Sequence, residues 1–435
     1  MTAHVCSGPG VDAVLDAVDA ARGSWPQASG PRPTLALAFA SVEHDVGALA
    51  RGLAGRGLAV VGATTAGEVA GADVLDRSCV VMLWAAEPGT FDVWAGARDA
   101  GGGPDGGPDG DIEAVARGLG RFAAGRFARP VVVALASGLG TDGDAVVRGV
   151  HDGAAEGGAA GGEGAWGGAR GPLPLFGGLA GDDFRMEGTA VLTADGPVAD
   201  GVVGLVLDGD RYDVAGVATG GWQPVGVEKA VTRSEGNVVH ELDGEPVLDV
   251  YARYFDLGDL GSGPVAAALG VQYPLALRRP DGAVVVRAPL LADPRTGGLV
   301  FGGAVPEGAR VRFCVPPSLD VVDRAVAEAA ALRGRLPEAD AVLVVSCKAR
   351  HAAFGPMIED EVGGLAAVWG APLAGFFSYG EVGPQAGADG AGGPSDFHNE
   401  TCTVLAVRER AASERAAAGR AAREQAASGR AAGRG

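Results

Sequence analysis

Two domains of mixed α/β and α+β character, with helices covering sheets of mixed strands, are what this sequence predicts. Three observations predict them. First, apolar runs end in serine at Leu35–Ser41, Val131–Ser137 and Val342–Ser346. Second, each is followed by another apolar run that ends in a Gly-acid turn: Gly67-Glu68, Gly181-Asp182 and Gly380-Glu381. Third, short strands recur between Thr189 and Thr219 and again between Ala283 and Val315, split by Asp-Gly and Glu-Gly turn pairs. A continuous apolar run marks a strand covered on both faces, while short spacing with turn signals marks a meander. The first two observations together give three diverged copies of one unit: strand to Ser, helix, strand to Gly-acid, spacer, strand.

The elements follow in order. Val11, Val14, Leu15 and Val18 share one helix face, and Pro26, Pro31 and Pro33 end that helix. Leu35–Phe39 is a strand. Val46, Leu49, Ala50 and Leu53 mark a helix closed by Gly57, and Leu58–Val61 is the next strand. Ser78–Ala85 and Phe91–Gly96 are further strands, and Ile112–Phe127 is a helix stopped by Pro130. Asp142 or Asp144 caps the helix after Val131–Ala136. Asp195-Gly196 and Asp208-Gly209 read as hairpin turns. A domain boundary falls near Val231–Asp243, and Pro246 opens a helix carrying Val247, Leu248, Tyr251 and Phe255. Leu319, Val322, Val326 and Ala330 line another helix before the third copy of the unit. The domains are therefore 33–230 and 244–407. Residues 408–435, with seven Arg and three Glu among Ala and Gly, read as a disordered or fraying tail.

Composition excludes several function classes. The chain has 435 residues, 47% of them apolar, so it can bury a large core. Its formal net charge is −19, which disfavours nucleic acid and anionic membrane surfaces as partners. Glycine stands at 75 residues, concentrated in Ala100–Gly110, Gly153–Gly171 and Ala386–Gly393, which read as loop insertions. The five cysteines are widely spaced and the six histidines form no metal-spaced pair, so no disulfide scaffold, metal or cofactor is expected. The N-terminus lacks the basic start and long apolar core of a signal peptide, and no apolar run approaches membrane length. A cytoplasmic location is expected.

The candidate site residues sit at strand ends, where polar groups gather at a sheet edge. Glu68, Asp182 and Glu381 each follow Gly in the repeated turns. One carboxylate there can grip an amine, or can accept turn N–H groups. Tyr379 and Gly380 precede Glu381, and His398-Asn399 follow it after a Gly-rich spacer. Ser346, Cys347 and Arg350 end the third Ser strand. Arg350 suits a ligand carboxylate or a surface pair with an acid such as Glu359. Cys347 and His351 are four apart, which leaves a thiol nucleophile as an alternative. Gly62–Gly67 has the glycine spacing of a phosphate loop, but Glu68 stands where Lys is required. The acidic corners Glu68, Asp182 and Glu381 are expected to converge on one enclosed hollow.

The sequence resembles the FIST proteins (F-box and intracellular signal transduction). The C-terminal motifs are EPVLDVYARY, YPLALRRPDG, VVRAPLLADP, GLVFGGAVPEGARVR, VVSCKAR, PLAGFFSYGEVGP and FHNETCTVLAV; the N-terminal ones are LAFAS, VVGATTAGEV, VVVALASG, LFGGLAGDD and GWQPVG. The resemblance implies a sensory module binding a small ligand, an amino acid or similar metabolite. It supplies no catalytic residues. The residues in its most recognisable motifs are Ser346, Cys347, Arg350, Tyr379, Gly380, Glu381, His398 and Asn399, with Gly67, Glu68, Gly178, Gly181 and Asp182 in the N-terminal part. The expectation is a signal-transduction protein that binds an amino-acid-like ligand between Glu381 and Arg350 and passes its signal to a protein partner. A thiol-dependent hydrolase or transferase using Cys347 and a ligand-free interaction scaffold are the alternatives.

Overall fold

The structure, a computed structural model, describes residues 1–25, 32–98, 110–158, 173–255, 271–279, 282–293, 296–318, 320–386 and 392–415. The expected loop insertions at 100–110, 153–171 and 386–393 lie mostly outside these residues, as does the expected tail beyond residue 415. Among the described residues no helix is long and apolar enough to cross a membrane.

Three repeats share one topology, larger than the sequence motif suggested. In the first, the sheet order is Ala3–Gly8, Cys79–Trp84, Leu35–Ser41, Ala59–Thr65. In the second it is Phe91–Ala97, Gly201–Asp208, Pro130–Ala136, Leu175–Leu179. In the third it is Tyr212–Thr219, Cys402–Glu409, Ala341–Cys347, Leu373–Ser378. Each repeat thus opens with a strand that the sequence motif lacked. Helices Val11–Gly23, Gly110–Arg126 and Val321–Ala331 lead from that region to the Ser strand. Helices Val46–Ala54, Gly143–Glu156, and the pair Lys348–Phe354 and Met357–Trp369 then cross over to the parallel partner. The Ser strands are buried at every position, as continuous Val, Leu and Ala runs demand. Asp142, and not Asp144, caps its helix, accepting from Asp144 N–H.

The parallel pairs come very close at one repeated position. A Cβ on Gly62, Gly177 or Gly375 would stand 2.0, 1.8 or 1.9 Å from the carbonyl oxygen of Ala38, Ala134 or Val344. Only glycine fits there.

The repeats are locked by a cyclic exchange of hairpins. Glu68–Ala70 of the first repeat pairs with Leu373–Ser378 of the third. Glu381–Ala386 of the third pairs with Leu175–Leu179 of the second. Val191–Thr193 of the second pairs with Ala59–Thr65 of the first. Each arriving strand carries its own partner: Asp73–Leu75, Gly392–His398 and Gly196–Val198. The last confirms the hairpin at Asp195-Gly196. Asp208-Gly209 is not a hairpin, because Gly201–Asp208 stays in the second repeat while Tyr212–Thr219 opens the third.

An eight-stranded antiparallel sheet, residues 223–315, is inserted between the opening strand and the first helix of the third repeat. Helix Val247–Phe255 covers it, with Val247, Val250 and Tyr251 buried. The last strand of the third repeat runs to Glu409, and Arg408 and Arg410 both bond Asp213 at 2.8 Å.

Candidate functional site

Register corrects two of the sequence alignments between repeats. Ser41, Ser137 and Cys347 occupy one position, each donating its N–H to the residue before the closing strand or at its start: Ser78, Gly201 and Thr401, at 3.1, 3.0 and 2.8 Å. The third counterpart of the serines is therefore Cys347. Ser346 lies opposite Cys402, as Ala40 lies opposite Cys79. Likewise Glu68 lies opposite Phe376 and Glu381 opposite Gly178, but the equivalent residue of the second repeat is Val191, opposite Ala63. Asp182 sits in an extra loop, 182–189, ahead of it.

Glu68 and Glu381 are built alike. Thr65 Oγ1 donates to one oxygen of Glu68, and Ser78 donates its N–H (2.9 Å) and hydroxyl (2.7 Å) to the other. Ser378 Oγ donates to one oxygen of Glu381, and Thr401 its N–H (3.2 Å) and hydroxyl (2.9 Å) to the other. Both carboxyls are fully buried. Burial pushes Glu68 up to about 7 and Glu381 up to about 8, against the lowering effect of the bonds they accept.

Asp182 accepts from the Tyr379 hydroxyl and from the N–H groups of Met186, Glu187 and Gly188. The Tyr379 oxygen in turn accepts from Phe184 N–H at 2.8 Å, and its ring stacks on Phe184. Burial, then the Asp182 charge, pushes the phenol up. Gly67, Gly178, Gly181 and Gly380 mark crossings between repeats. A Cβ on Gly178 would meet the Gly380 carbonyl oxygen at 2.5 Å, and one on Gly181 the Ala66 nitrogen at 2.7 Å. A Cβ on Gly380 would strike the Phe397 ring at 2.4 Å, and Gly67 has a φ of 126°.

Among the described residues, no hollow joins the three acidic corners. Where the inner faces of the repeats meet, Leu37, Phe39, Leu135, Phe176, Leu343 and Phe376 leave a gap of about 10 Å³. Phe39 stacks on Phe376 at 4.9 Å. A gap of that size is at the limit of holding one water. The apolar alternation that makes the strands also fills the centre.

Arg350 and Glu381 do not face each other across a ligand cleft. Arg350 is fully buried and pairs with Glu361 through Nη2 and through Nε at 3.3 Å. The pairing expected with Glu359 is corrected: Glu359 is exposed, while Glu361 lies on the inner face of helix Met357–Trp369. Cys347 is buried, and burial, then Glu381 and Glu400, holds its thiol well above the ordinary range. His351 does not reach it. Its Nδ1 faces Lys348 Nζ at 2.8 Å and its ring stacks on Phe377. A thiol so placed lacks the adjacent base that makes a nucleophile. His398, lowered by burial, contacts the Gly383 carbonyl at 3.0 Å through Nε2. Asn399 accepts from Ala288 N–H at 3.1 Å and donates to the Tyr379 carbonyl at 3.3 Å, so it ties the third repeat to the inserted sheet.

The residue that sequence reasoning missed is Glu400. It is 1% exposed, and its φ of 64° is left-handed. Neither carboxylate oxygen has a donor among the described residues. Burial, then Glu381, pushes its pKa well up, with Arg350 opposing. An unpartnered buried carboxylate in a strained backbone is costly on both counts. Glu400 lines a cavity of about 20 Å³ with Cys347, Lys348, Ser378, Tyr379 and Asn399. It also lines a cleft of about 470 Å³ with Trp222, Arg324, His398, Asn399 and Thr401. The cavity has room for one water-sized group, whereas the cleft has the size of a small-molecule site. His398 and Asn399, both expected site residues, therefore do border a ligand-sized space.

The N-terminal part matches the FIST N domain over residues 34–245, and the FIST C domain matches over 248–384. The two matches meet inside the inserted sheet. An uncharacterized protein of Mycobacterium tuberculosis is 32% identical over 227 residues, covering 49% of this chain and 57% of that protein. An uncharacterized protein of Mycobacterium bovis is 32% identical over 231 residues, covering 49% and 56%. The chain thus spans little more than half the length of the relatives it matches. With both domain types present in order along its length, this chain belongs to the FIST family.

Proposed function

We propose that this protein is a receptor for a small zwitterionic metabolite of the amino-acid type, held in the 470 Å³ cleft between the third repeat and the inserted sheet. The observation that carries this reading is the buried, donor-free carboxyl group of Glu400, a residue that lines that cleft. A ligand ammonium supplies the missing donors. Arg324 stands in the same wall, anchored by Nη2 to the Gly220 carbonyl at 2.9 Å, with further guanidinium N–H groups for a ligand carboxylate. Trp222, whose indole N–H is held by the Val271 carbonyl at 3.1 Å, offers a fixed apolar surface. Glu400 and Arg324 thereby take the two roles expected of Glu381 and Arg350.

The walls belong to two parts of the molecule. Arg324 comes from helix Val321–Ala331 of the third repeat, and Val284–Val286 from the inserted sheet. A ligand that contacts both binds one relative arrangement better than others, which is the requirement for a sensory signal. A protein partner then reads that arrangement. Calorimetric titration with the twenty amino acids tests the reading. Binding by at least one, lost in Glu400→Gln and in Arg324→Met but kept in Glu381→Gln, supports it. Failure of all twenty to bind the intact protein at millimolar concentration overturns it.

A further inference from the structure

A second cleft, of about 730 Å³, lies between helix Gly143–Glu156 and the inserted sheet. Five arginines line it, in a chain whose net charge is −19: Arg148, Arg278, Arg279, Arg287 and Arg310. Two of them form its floor. Arg287, fully buried, bonds both oxygens of Asp144 at 2.8 and 2.7 Å. Arg279 bonds Asp144 at 2.7 Å and also Asp396. Asp144 further accepts from Ala304 N–H at 2.9 Å. Two cations against two anions leave this floor neutral, with Arg287 Nε a buried donor that has no partner among the described residues.

The other three arginines stand on the rim with donors to spare. Arg278 is exposed and makes one long bond, to the Gly282 carbonyl at 3.4 Å. Arg310 is 60% exposed and sits 3.9 Å from Glu228. Arg148 is 52% exposed and reaches Glu113 outside the cleft at 3.2 Å. The rim acids are Glu228, which faces Arg310, and Glu307; Arg148 also lies 3.8 Å from Asp142, whereas Arg278 makes no ion pair among the described residues. Between floor and rim the walls are apolar, from Val147, Leu277, Ala304, Pro306 and Ala309.

A space of this size with apolar walls and a cationic mouth matches one kind of molecule. We propose that this cleft is a second ligand site, for an organic anion with an apolar body and a single carboxylate or sulfonate head, the body against Val147 and Leu277 and the head on Arg278 and Arg310. It is separate from the amino-acid cleft and does not share its residues. One wall is the second repeat and the other is the inserted sheet, so a molecule here braces the same insertion from its opposite flank.

Fluorescence titration of the full chain with 1-anilinonaphthalene-8-sulfonate tests this, with naphthalene-1-carboxylate as competitor. Saturable binding of one equivalent is expected, displaced by the carboxylate and weakened by added salt. Arg278→Glu is expected to weaken it at least about tenfold, the worth of one charge-assisted contact. Val147→Phe, which narrows the cleft, is expected to weaken it with the rim charges intact. Arg324→Met, in the other cleft, leaves it unchanged. Arg278 is exposed, so the charge reversal leaves the fold intact, as far-ultraviolet circular dichroism of each variant verifies. Probe binding that is absent, unsaturable, or indifferent to both Arg278→Glu and Val147→Phe overturns the proposal.

Discussion

Replacing Glu381 by Gln is expected to stabilise this protein, and by an amount that grows with pH. In the folded chain burial raises the carboxyl from an ordinary 4.5 to about 8. Between those two values the unfolded chain has lost its proton while the folded chain still holds it. The folded state then binds more protons than the unfolded state, so stability falls as pH rises through this window and levels off above about 8. At about 1.4 kcal/mol per pH unit, the whole window amounts to roughly 5 kcal/mol. The neutral acid is well satisfied. Once protonated, its O–H takes over the bond that Ser378 Oγ donates to the carboxylate, the Ser378 hydroxyl turns to the Ser346 carbonyl at 3.2 Å, and Thr401 still donates twice to the other oxygen. Glutamine reproduces that pattern, with its NH₂ in place of the acid O–H. Denaturant unfolding of wild type and Glu381→Gln at pH 5, 6, 7, 8 and 9 measures the difference. Near pH 5 the two are expected to agree within about 1 kcal/mol, and by pH 9 the variant is expected to lead by several. A variant equally destabilised at every pH would refute the argument, because the carboxyl would then be held ionised.

Two further outcomes follow from packing and one from charge. Gly375→Ala places a methyl 1.9 Å from the Val344 carbonyl oxygen, and a loss of about 3 kcal/mol or more is expected in thermal or denaturant unfolding. Gly363→Ala, in helix Met357–Trp369 with open space around it, is expected to gain about 0.5–1 kcal/mol in the same measurement. Arg350→Met leaves Glu361 buried without its partner, so a loss of about 3–5 kcal/mol is expected. The double variant Arg350→Met, Glu361→Leu is expected to recover most of it, and failure to recover would show that Arg350 acts through something other than this pair.

The Ser strands and their parallel partners were legible because each is a dense apolar run with no competing period, whereas Ala3–Gly8 and Gln223–Glu235 were not read as strands; the turns at Gly67-Glu68 and Gly380-Glu381 were legible because glycine is required where repeats cross. What stayed hidden is non-local. Nothing within Glu68–Ala70 states that it joins the third repeat, since a strand edge of either neighbour offers the same row of N–H and C=O groups. Asp208-Gly209 has hairpin chemistry, yet the flanking strands are each claimed by better-covered partners in different repeats. The register of Cys347 was missed by one residue because Ser346 matches the other two copies by type, while position is set by the ladder to Cys402–Glu409. Asp182 imitated Glu68 in sequence, but the loop 182–189 separates it from the strand where Val191 holds the equivalent place. Glu400 left no trace at all. A left-handed φ at a glutamate is fixed by the turn into Cys402, not by its side chain, and the lack of a donor is a property of its surroundings.

These features divide the molecule into three repeats joined by backbone ladders and an inserted sheet that shares no ladder with them among the described residues. Moving one repeat against another breaks backbone ladders at all three seams, because each repeat has a strand in its neighbour's sheet. The inserted sheet is held differently. Its ties to the repeats include the ion pairs of Asp144 with Arg279 and Arg287, the contact of Asn399 with Ala288, and the bond from Gly143 N–H to the Gly302 carbonyl at 3.2 Å. Isolated ties of this kind, most of them through side chains, re-form at a shifted position more readily than a ladder does. Both ligand-sized clefts open along that junction, one on each flank of the insertion. A ligand placed in the centre of the repeats would have met only rigid walls and had nothing to bias. Under the proposed function, a ligand at the junction touches both the repeats and the insertion, which is where a receptor needs its differential affinity to reside.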